Sequence, residues 1–194
     1  MRTPVPPPQV LAKILVAIAG GAALAVGLGA CEVSASLGCQ WRELTRGKYE
    51  ARYAPADTAG SERRLARPLG RRVYARALKY RVRVATPAVP ACEDLTVVKE
   101  VILQRRDDPK FRFTEINEYY TGAGELIATR TQDLTAHLEA SGRYTARDRL
   151  PVPAAAPPGR YRMVSKLILT REGSKRAYLL SRDSARFRIL PRQE

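Results

Sequence analysis

The residues able to do chemistry are few and scattered. One histidine, His137, and three cysteines, Cys31, Cys39 and Cys92, occur in 194 residues. Zinc centres draw three or four ligands from Cys, His and carboxylates, so neither a four-cysteine nor a histidine-rich metal site can be assembled, and no cofactor is expected. A nucleophile needs an adjacent base and a group to orient that base, and no serine stands in a nucleophile-elbow pattern. Two acidic pairs, Glu93-Asp94 and Asp107-Asp108, adjoin expected turns. Carboxylates that share acid/base work must converge across a cleft, so these pairs read as solvated turn residues. Gly122 and Gly124 lack the spacing that wraps amides around phosphate, and Thr121 to Glu125 reads as a hairpin turn. No catalytic residue and no small-molecule substrate are expected.

Charge is the stronger signal. The chain carries 34 Lys and Arg against 19 Asp and Glu, a net charge of +15. Between Gln40 and Val84 alone there are 13 basic and four acidic residues. Arg63, Arg64, Arg67, Arg71 and Arg72 are the densest part and are candidate contacts to an anionic surface. Such a stripe suits nucleic acid or a charged membrane or protein face. The 45% hydrophobic content is that of a globular chain and excludes a wholly disordered or polytopic membrane protein.

Compartment decides between those partners. Arg2 and Lys13 precede an uncharged run from Ile14 to Ala30, and no acidic residue occurs before Glu32. A basic flank, an apolar stretch and small residues at its end are the parts of a secretory signal. The run ends Leu28-Gly29-Ala30-Cys31, which resembles the lipobox of bacterial lipoproteins. That resemblance implies cleavage before Cys31 and lipidation of its sulfur, with Leu28, Gly29 and Ala30 as the processing positions. Two alternatives stay open. The helix, only ~25 Å long at 1.5 Å per residue, could remain as a single membrane anchor, or Val33-Ser34-Ala35 could serve an ordinary signal peptidase. If Cys31 takes lipid, Cys39 and Cys92 remain as an even pair in an oxidising compartment and a possible disulfide. Nucleic acid is then in the wrong place.

The elements that must position these residues read as strands. Residues 1–30 form the signal or anchor, 31–70 a basic tether with a hint of a strand from Cys39 to Tyr53, and 71–194 the folded domain. Tyr74, Arg76, Leu78, Tyr80, Val82 and Val84 alternate with a basic row, giving a half-buried strand interrupted by Arg76. LTVVKEVILQ is rich in β-branched residues and reads as a strand buried on both faces. FRFTEINEYY places Phe111 and Phe113 on one face, and LIATRT completes a hairpin. In DLTAHLEASG a strand row of Leu134, Ala136 and Leu138 competes with a helical row of Leu134, His137 and Leu138; the strand is preferred. Gly142 to Leu150, Tyr161 to Thr170, Ala177 to Leu180 and Arg186 to Leu190 supply the rest. Seven to eight strands without a long amphipathic helix predict an all-β antiparallel sandwich. Pro157-Pro158-Gly159-Arg160-Tyr161 before a late strand resembles immunoglobulin-like and fibronectin-type sandwiches, without the Cys and Trp spacing of true immunoglobulin domains.

The expectation is a non-catalytic interaction protein of the bacterial cell envelope, attached to a membrane by lipid or by its N-terminal helix. Its domain faces the periplasm or the exterior and binds an envelope protein or surface. A periplasmic accessory or assembly domain on a single-pass anchor is the alternative, and an envelope hydrolase using loop carboxylates is the alternative of another class. Intact mass of the membrane-extracted protein tests the start of the chain: a mature polypeptide beginning at acylated Cys31 is expected, and this form disappears in Cys31→Ala.

Overall fold

The computed structural model describes residues 51–60 and 62–191. The signal positions Leu28 to Cys31, the N-terminal helix, Cys39 and Trp41 lie outside the described residues. Nine strands and one helical turn follow in the order β1 (Ala54–Ala56), α1 (Glu62–Leu65), β2 (Ala75–Val84), β3 (Ala88–Pro90), β4 (Asp94–Arg105), β5 (Phe111–Thr121), β6 (Leu126–Asp133), β7 (Gly142–Pro151), β8 (Gly159–Arg171) and β9 (Ala177–Leu190). They form two sheets, one ordered β1-β7-β4-β2 and the other β3-β9-β8-β5-β6. Every pairing is antiparallel except β3 with β9. The molecule is an all-β sandwich, as alternation of apolar and polar residues over several strands requires.

Alternation sets the inner faces. Leu95, Val97, Lys99, Val101 and Leu103 point inward from β4, Phe111, Phe113, Glu115 and Asn117 from β5, and Tyr161, Met163, Ser165, Leu167 and Leu169 from β8. Inside the sandwich, Phe111, Phe113, Leu103, Leu134, Leu138 and Leu169 gather toward one end. Leu95, Tyr161, Met163, Phe187 and Ile189 gather toward the other. The sheets are also stitched where β2 meets β9: the Val82 amide donates to Asp183 Oδ2 at 2.8 Å.

Five expectations are corrected. In β2 a bulge between Ala77 and Lys79 inserts one residue. The extra residue reverses the facing of everything before it, so Ala75 points inward and Arg76 outward, while Tyr80 and Val82 keep the inner face. This resolves the interruption at Arg76: it never belonged to the buried row. In β4 only the second half is buried on both faces, because residues 65–67 lie over it: Gln104 Nε2 donates to the carbonyls of Leu65, at 2.9 Å, and Arg67. Residues 134–141 are no strand. The amides of His137 and Leu138 both bond back to the Leu134 carbonyl, one helical turn that buries Leu134 and Leu138 and leaves Ala136 exposed. Asp133 starts the turn by accepting the Thr135 amide at 2.8 Å. Finally, the segment read as a tether contributes to the sandwich. Ala51 and Tyr53 are core residues, and β1 pairs with β7. The last two expected strands are one continuous β9.

The expected turns hold. Thr121 to Glu125 joins β5 to β6, closed by the Thr121 amide on the Glu125 carbonyl at 2.9 Å, with Gly124 at φ 91° supplying a conformation other residues resist. Tyr161 Oη donates to the Pro157 carbonyl at 2.7 Å, fixing the Pro-rich turn to the start of β8. The helical turn at 134–141 gives a direct test in urea unfolding. Leu138→Ala is expected to cost about 2–5 kcal/mol. Ala136→Glu, which a strand row would bury, is expected to stay within about 0.5 kcal/mol of the parent.

Candidate functional site

Three places in the fold gather side chains that could act: a polar cluster between the sheets, an apolar groove beside β6, and a basic end built on residues 70–74.

The cluster sits where polar residues interrupt the inner rows: Lys99 in β4, Glu115 and Asn117 in β5, Ser165 in β8 and, one inward position along β7, Asp148. Lys99 Nζ lies 2.5 Å from Glu115 Oε2 and 3.1 Å from Asp148 Oδ2. Tyr53 Oη donates to Glu115 Oε1 at 2.7 Å and Tyr80 Oη to the same oxygen at 2.6 Å. Asn117 Nδ2 donates to Glu115 Oε2 at 3.0 Å, Ser165 Oγ donates to Asn117 Oδ1 at 2.6 Å, and the Tyr80 and Ser165 hydroxyls touch at 2.6 Å. Lys99 and Glu115 are among the most buried side chains of the molecule. Burial pushes the Glu115 carboxyl up, but the Lys99 ammonium and the two tyrosine hydroxyls outweigh it and hold the carboxyl below its usual range. Burial first, and the Glu115 charge second, raise Tyr80 well above an ordinary phenol; burial and then the charge of neighbouring Tyr80 do the same for Tyr53. One ammonium faces two carboxylates, and the hydroxyls spread the remaining negative charge. A lysine between two carboxylates, with a serine linked to them through Asn117 and Tyr80, has the makings of acid/base chemistry. A substrate would have to reach them, however, and all are closed off between the sheets. Their observed role is to join β4, β5, β7, β8, β2 and the strand-like entry at Tyr53.

The groove is different. A space of about 830 Å³ opens where the free edge of β6 faces the end of β7, walled by Tyr119, Ile127, Leu150, Val152, Tyr161 and Phe187 among others. Its lining is overwhelmingly apolar. Two edges are unpaired here among the described strands: the outer side of β6 and the part of β7 beyond Thr145. A second, more polar cleft of about 980 Å³ lies toward the other end of β6 and holds His137 with Asp133, Thr135, Glu139 and Arg112. Asp133 is taken by Thr135, and Thr135 Oγ1 accepts the Phe113 amide at 3.0 Å. Among the described residues no hydroxyl bonds to the His137 ring.

The basic end is built by Arg106. Its Nε donates to the Val73 carbonyl at 3.0 Å and its Nη2 to the carbonyls of Gly70, at 2.9 Å, and Arg71, at 3.1 Å. The Val73 amide closes a turn on Gly70, and the Arg106 amide bonds the Tyr74 carbonyl. Residues 70–74 are thereby fixed to the end of β4, and Arg71 and Arg72 stand exposed on them. Tyr74 packs on Phe111 with ring centres 5.2 Å apart and meets Tyr178 at 6.4 Å. Val73, Tyr74 and Tyr178 are 40%, 36% and 41% exposed, so large side chains stand beside the two arginines.

Arg63, Arg64 and Arg67, the other expected contacts, are exposed on the same covering segment, on and just after α1. Glu93-Asp94 and Asp107-Asp108 lie at opposite ends of β4, whose 12 residues put ~40 Å between them, so the two pairs do not meet. Cys92 is disulfide-bonded, and its partner lies outside the described residues. No group of His, Cys, Asp and Glu among the described residues could hold a metal ion, and no helix among them is long and apolar enough to cross a membrane. The polar cluster was hidden from sequence reading by the same alternation that built the sheets: Lys99 and Glu115 sit in β-branched and aromatic rows at inward positions, and that parity is the signal that could have found them.

No family model and no curated protein matches the chain. Among solved structures it is similar to part of a family 123 glycoside hydrolase from Clostridium perfringens, with TM-score 0.36 and 13% identity over 54% of this chain and 22% of that one. It is similar to part of the alkylpurine DNA glycosylase AlkC of Pseudomonas fluorescens, with TM-score 0.35 and 14% identity over 63% and 31%. With the periplasmic chaperone SfaE the values are 0.28 and 13% over 56% and 58%. The chain spans less than a third of the first two proteins.

The cluster makes stability depend on pH from both sides. Glu115 is held below its unfolded value, near 4.3, so its contribution is present above that pH and fades as pH falls through the folded value. Tyr53 and Tyr80 are raised, so their contribution is present below about 10 and fades as pH rises beyond it. Chemical denaturation across pH should show a plateau between roughly 5 and 9.5 with losses on either side. At pH 7 Lys99→Met should cost about 3–5 kcal/mol by stranding two carboxylates, and adding Glu115→Gln should recover part of that loss.

Proposed function

We propose that this chain is an exported, membrane-tethered, non-catalytic interaction domain of a bacterial envelope. Its immunoglobulin-like sandwich presents a basic, aromatic end to an acidic face of another envelope protein. Residues 1–31, with their basic flank, apolar run and lipobox-like close, support export and attachment. The bond from Tyr161 to Pro157 supports the immunoglobulin-like assignment, since such a corner ties an upstream turn to a late strand.

One observation carries the binding role: the Arg106 guanidinium fastens residues 70–74, so that Arg71, Arg72, Val73 and Tyr74 are displayed on a rigid frame beside Tyr178. Aromatic residues and arginines are the side chains enriched at the energetic centre of protein interfaces. A frame already ordered before binding avoids the entropy of ordering it on contact. The cations on the outer faces of the sheets are in part neutralised. Lys79 and Arg143 are spent on Glu100, and Lys166 on Glu118, in self-contained ion pairs.

Photocrosslinking from Tyr178 in intact cells tests the reading. A discrete adduct with an envelope protein is expected, weakened at least about tenfold by Arg71→Glu/Arg72→Glu and absent when the crosslinker is moved to Arg147 on the outer face of β7. Adducts indifferent to the charge reversal would overturn it. Binding to anionic lipid vesicles with no protein adduct would replace the protein partner with a membrane.

A further inference from the structure

The buried cluster holds a substrate of its own. The geometry points to a self-made amide bond: Lys99 Nζ attacks the side-chain carboxamide of Asn117, Glu115 moves the protons, ammonia leaves, and β4 becomes covalently joined to β5.

Each part of such a reaction is in place. The nucleophile, Lys99 Nζ, lies 3.5 Å from Asn117 Oδ1, with the carboxamide carbon one bond beyond that contact. The base, Glu115 Oε2, is 2.5 Å from Nζ and also accepts from Asn117 Nδ2 at 3.0 Å. One carboxylate oxygen therefore touches both the nitrogen that must lose protons and the nitrogen that must gain one. Tyr53 and Tyr80 hold the other oxygen, Oε1, and so keep Oε2 turned toward the two nitrogens. The electrophile is polarised as well, because Ser165 Oγ donates to Asn117 Oδ1 at 2.6 Å. Negative charge collects on Oδ1 as the amine adds, and the serine hydroxyl is already aimed there.

The step balances within the cluster. The Lys99 ammonium gives one proton to Glu115, and the neutral amine forms a C–N bond to Asn117 Cγ. Glu115 then delivers its proton to Nδ2 and takes a second one from Nζ; the old C–N bond breaks and ammonia departs. Lys99 Nζ is left as an amide N–H and Glu115 as a neutral carboxylic acid. No oxidant or reductant is required. Asp148, 3.1 Å from the amine, is the other acyl group within reach. Condensation there would consume the ammonium and leave Glu115, wholly buried, as a lone charge. The Asn117 route neutralises Glu115 and leaves the remaining charge on Asp148, the more exposed of the two at 6%.

The enclosure that keeps outside substrates away favours this reaction. An amine and a carboxamide ignore each other in water, but reacting groups held in contact reach effective molarities of about 10⁵–10⁸ M. Closure to solvent also shields the adduct from hydrolysis. In a medium that penalises charge, moving the ammonium proton onto Glu115 replaces two buried ions with two neutral groups. The ion pairs are thus the state from which the bond forms. The product spans the sandwich, since Lys99 lies in the sheet of β1, β7, β4 and β2 and Asn117 in the sheet of β3, β9, β8, β5 and β6. It ties residues 18 apart in sequence and restricts the unfolded chain as a disulfide does, without being open to reduction.

Tryptic mapping of the full chain by mass spectrometry, after folding and then denaturation and reduction, tests the proposal. A peptide left uncut at Lys99 and joined to the peptide carrying Asn117 is expected, the pair lighter by one ammonia than the two apart. Asn117→Asp should lose water instead and yield a linked pair identical in mass to the parent's. Asn117→Ala keeps Lys99 with both carboxylates and should show no link, while the core amides of β4 and β8 stay protected from exchange. Ser165→Ala should form the link more slowly after refolding, on the order of a hundredfold. Ordinary cleavage at Lys99 in folded parent protein held for days overturns the proposal. So does a Lys99–Asp148 link, or an ammonia loss confined to the Asn117 peptide.

Discussion

The structure depends on one buried ion cluster. Lys99, Glu115 and Asp148 meet between two sheets in a space that excludes water, and neither lysine nor carboxylate can stay charged there alone. Each inner row must therefore deliver its polar residue within reach of the others, which fixes the register of β4 against β7 and of both against β5. Apolar side chains above and below would tolerate a two-residue slip with modest repacking. The ion cluster would not, because a two-residue slip of β5 puts Phe113 or Asn117 in the place of Glu115 and leaves Lys99 without its closest carboxylate.

The same constraint shapes the entry of the chain. Tyr53 reaches Glu115 from the position just before β1, and Ala51, two residues earlier, is held by Gln132 on the other sheet. The chain thus crosses the open side of the sandwich at the height of the cluster. Residues that composition alone marks as linker become part of the core.

Surface and interior divide the charge by different rules. Inside, three ions and three hydroxyls satisfy one another. Outside, arginines are abundant, yet most either lie on sheet faces or pair with nearby carboxylates, where solvent weakens what they contribute. Arg106 is an exception in use: its guanidinium spends three hydrogen bonds on backbone carbonyls of residues 70–73 and turns a loop into a fixed surface. Net charge attracts acidic partners from a distance, but the local frame decides where they touch.

The sequence by itself determined the sheet content, most strand positions and the turns at 121–125 and 172–174, because period-two alternation and glycine are local signals. It also carried the linear pattern from which export is proposed. Only the tertiary structure decided the facing of β2 before its bulge, since one inserted residue reverses a face without leaving a mark in composition. It turned Leu134 and Leu138 into a single helical turn because both had to reach the core from a short connection. Above all it made Lys99 and Glu115 interior residues. A charged side chain in a strand reads as solvent-facing until another strand brings the opposite charge to meet it, and that meeting joins residues 16 apart in the chain and, at Asp148, far more distant ones.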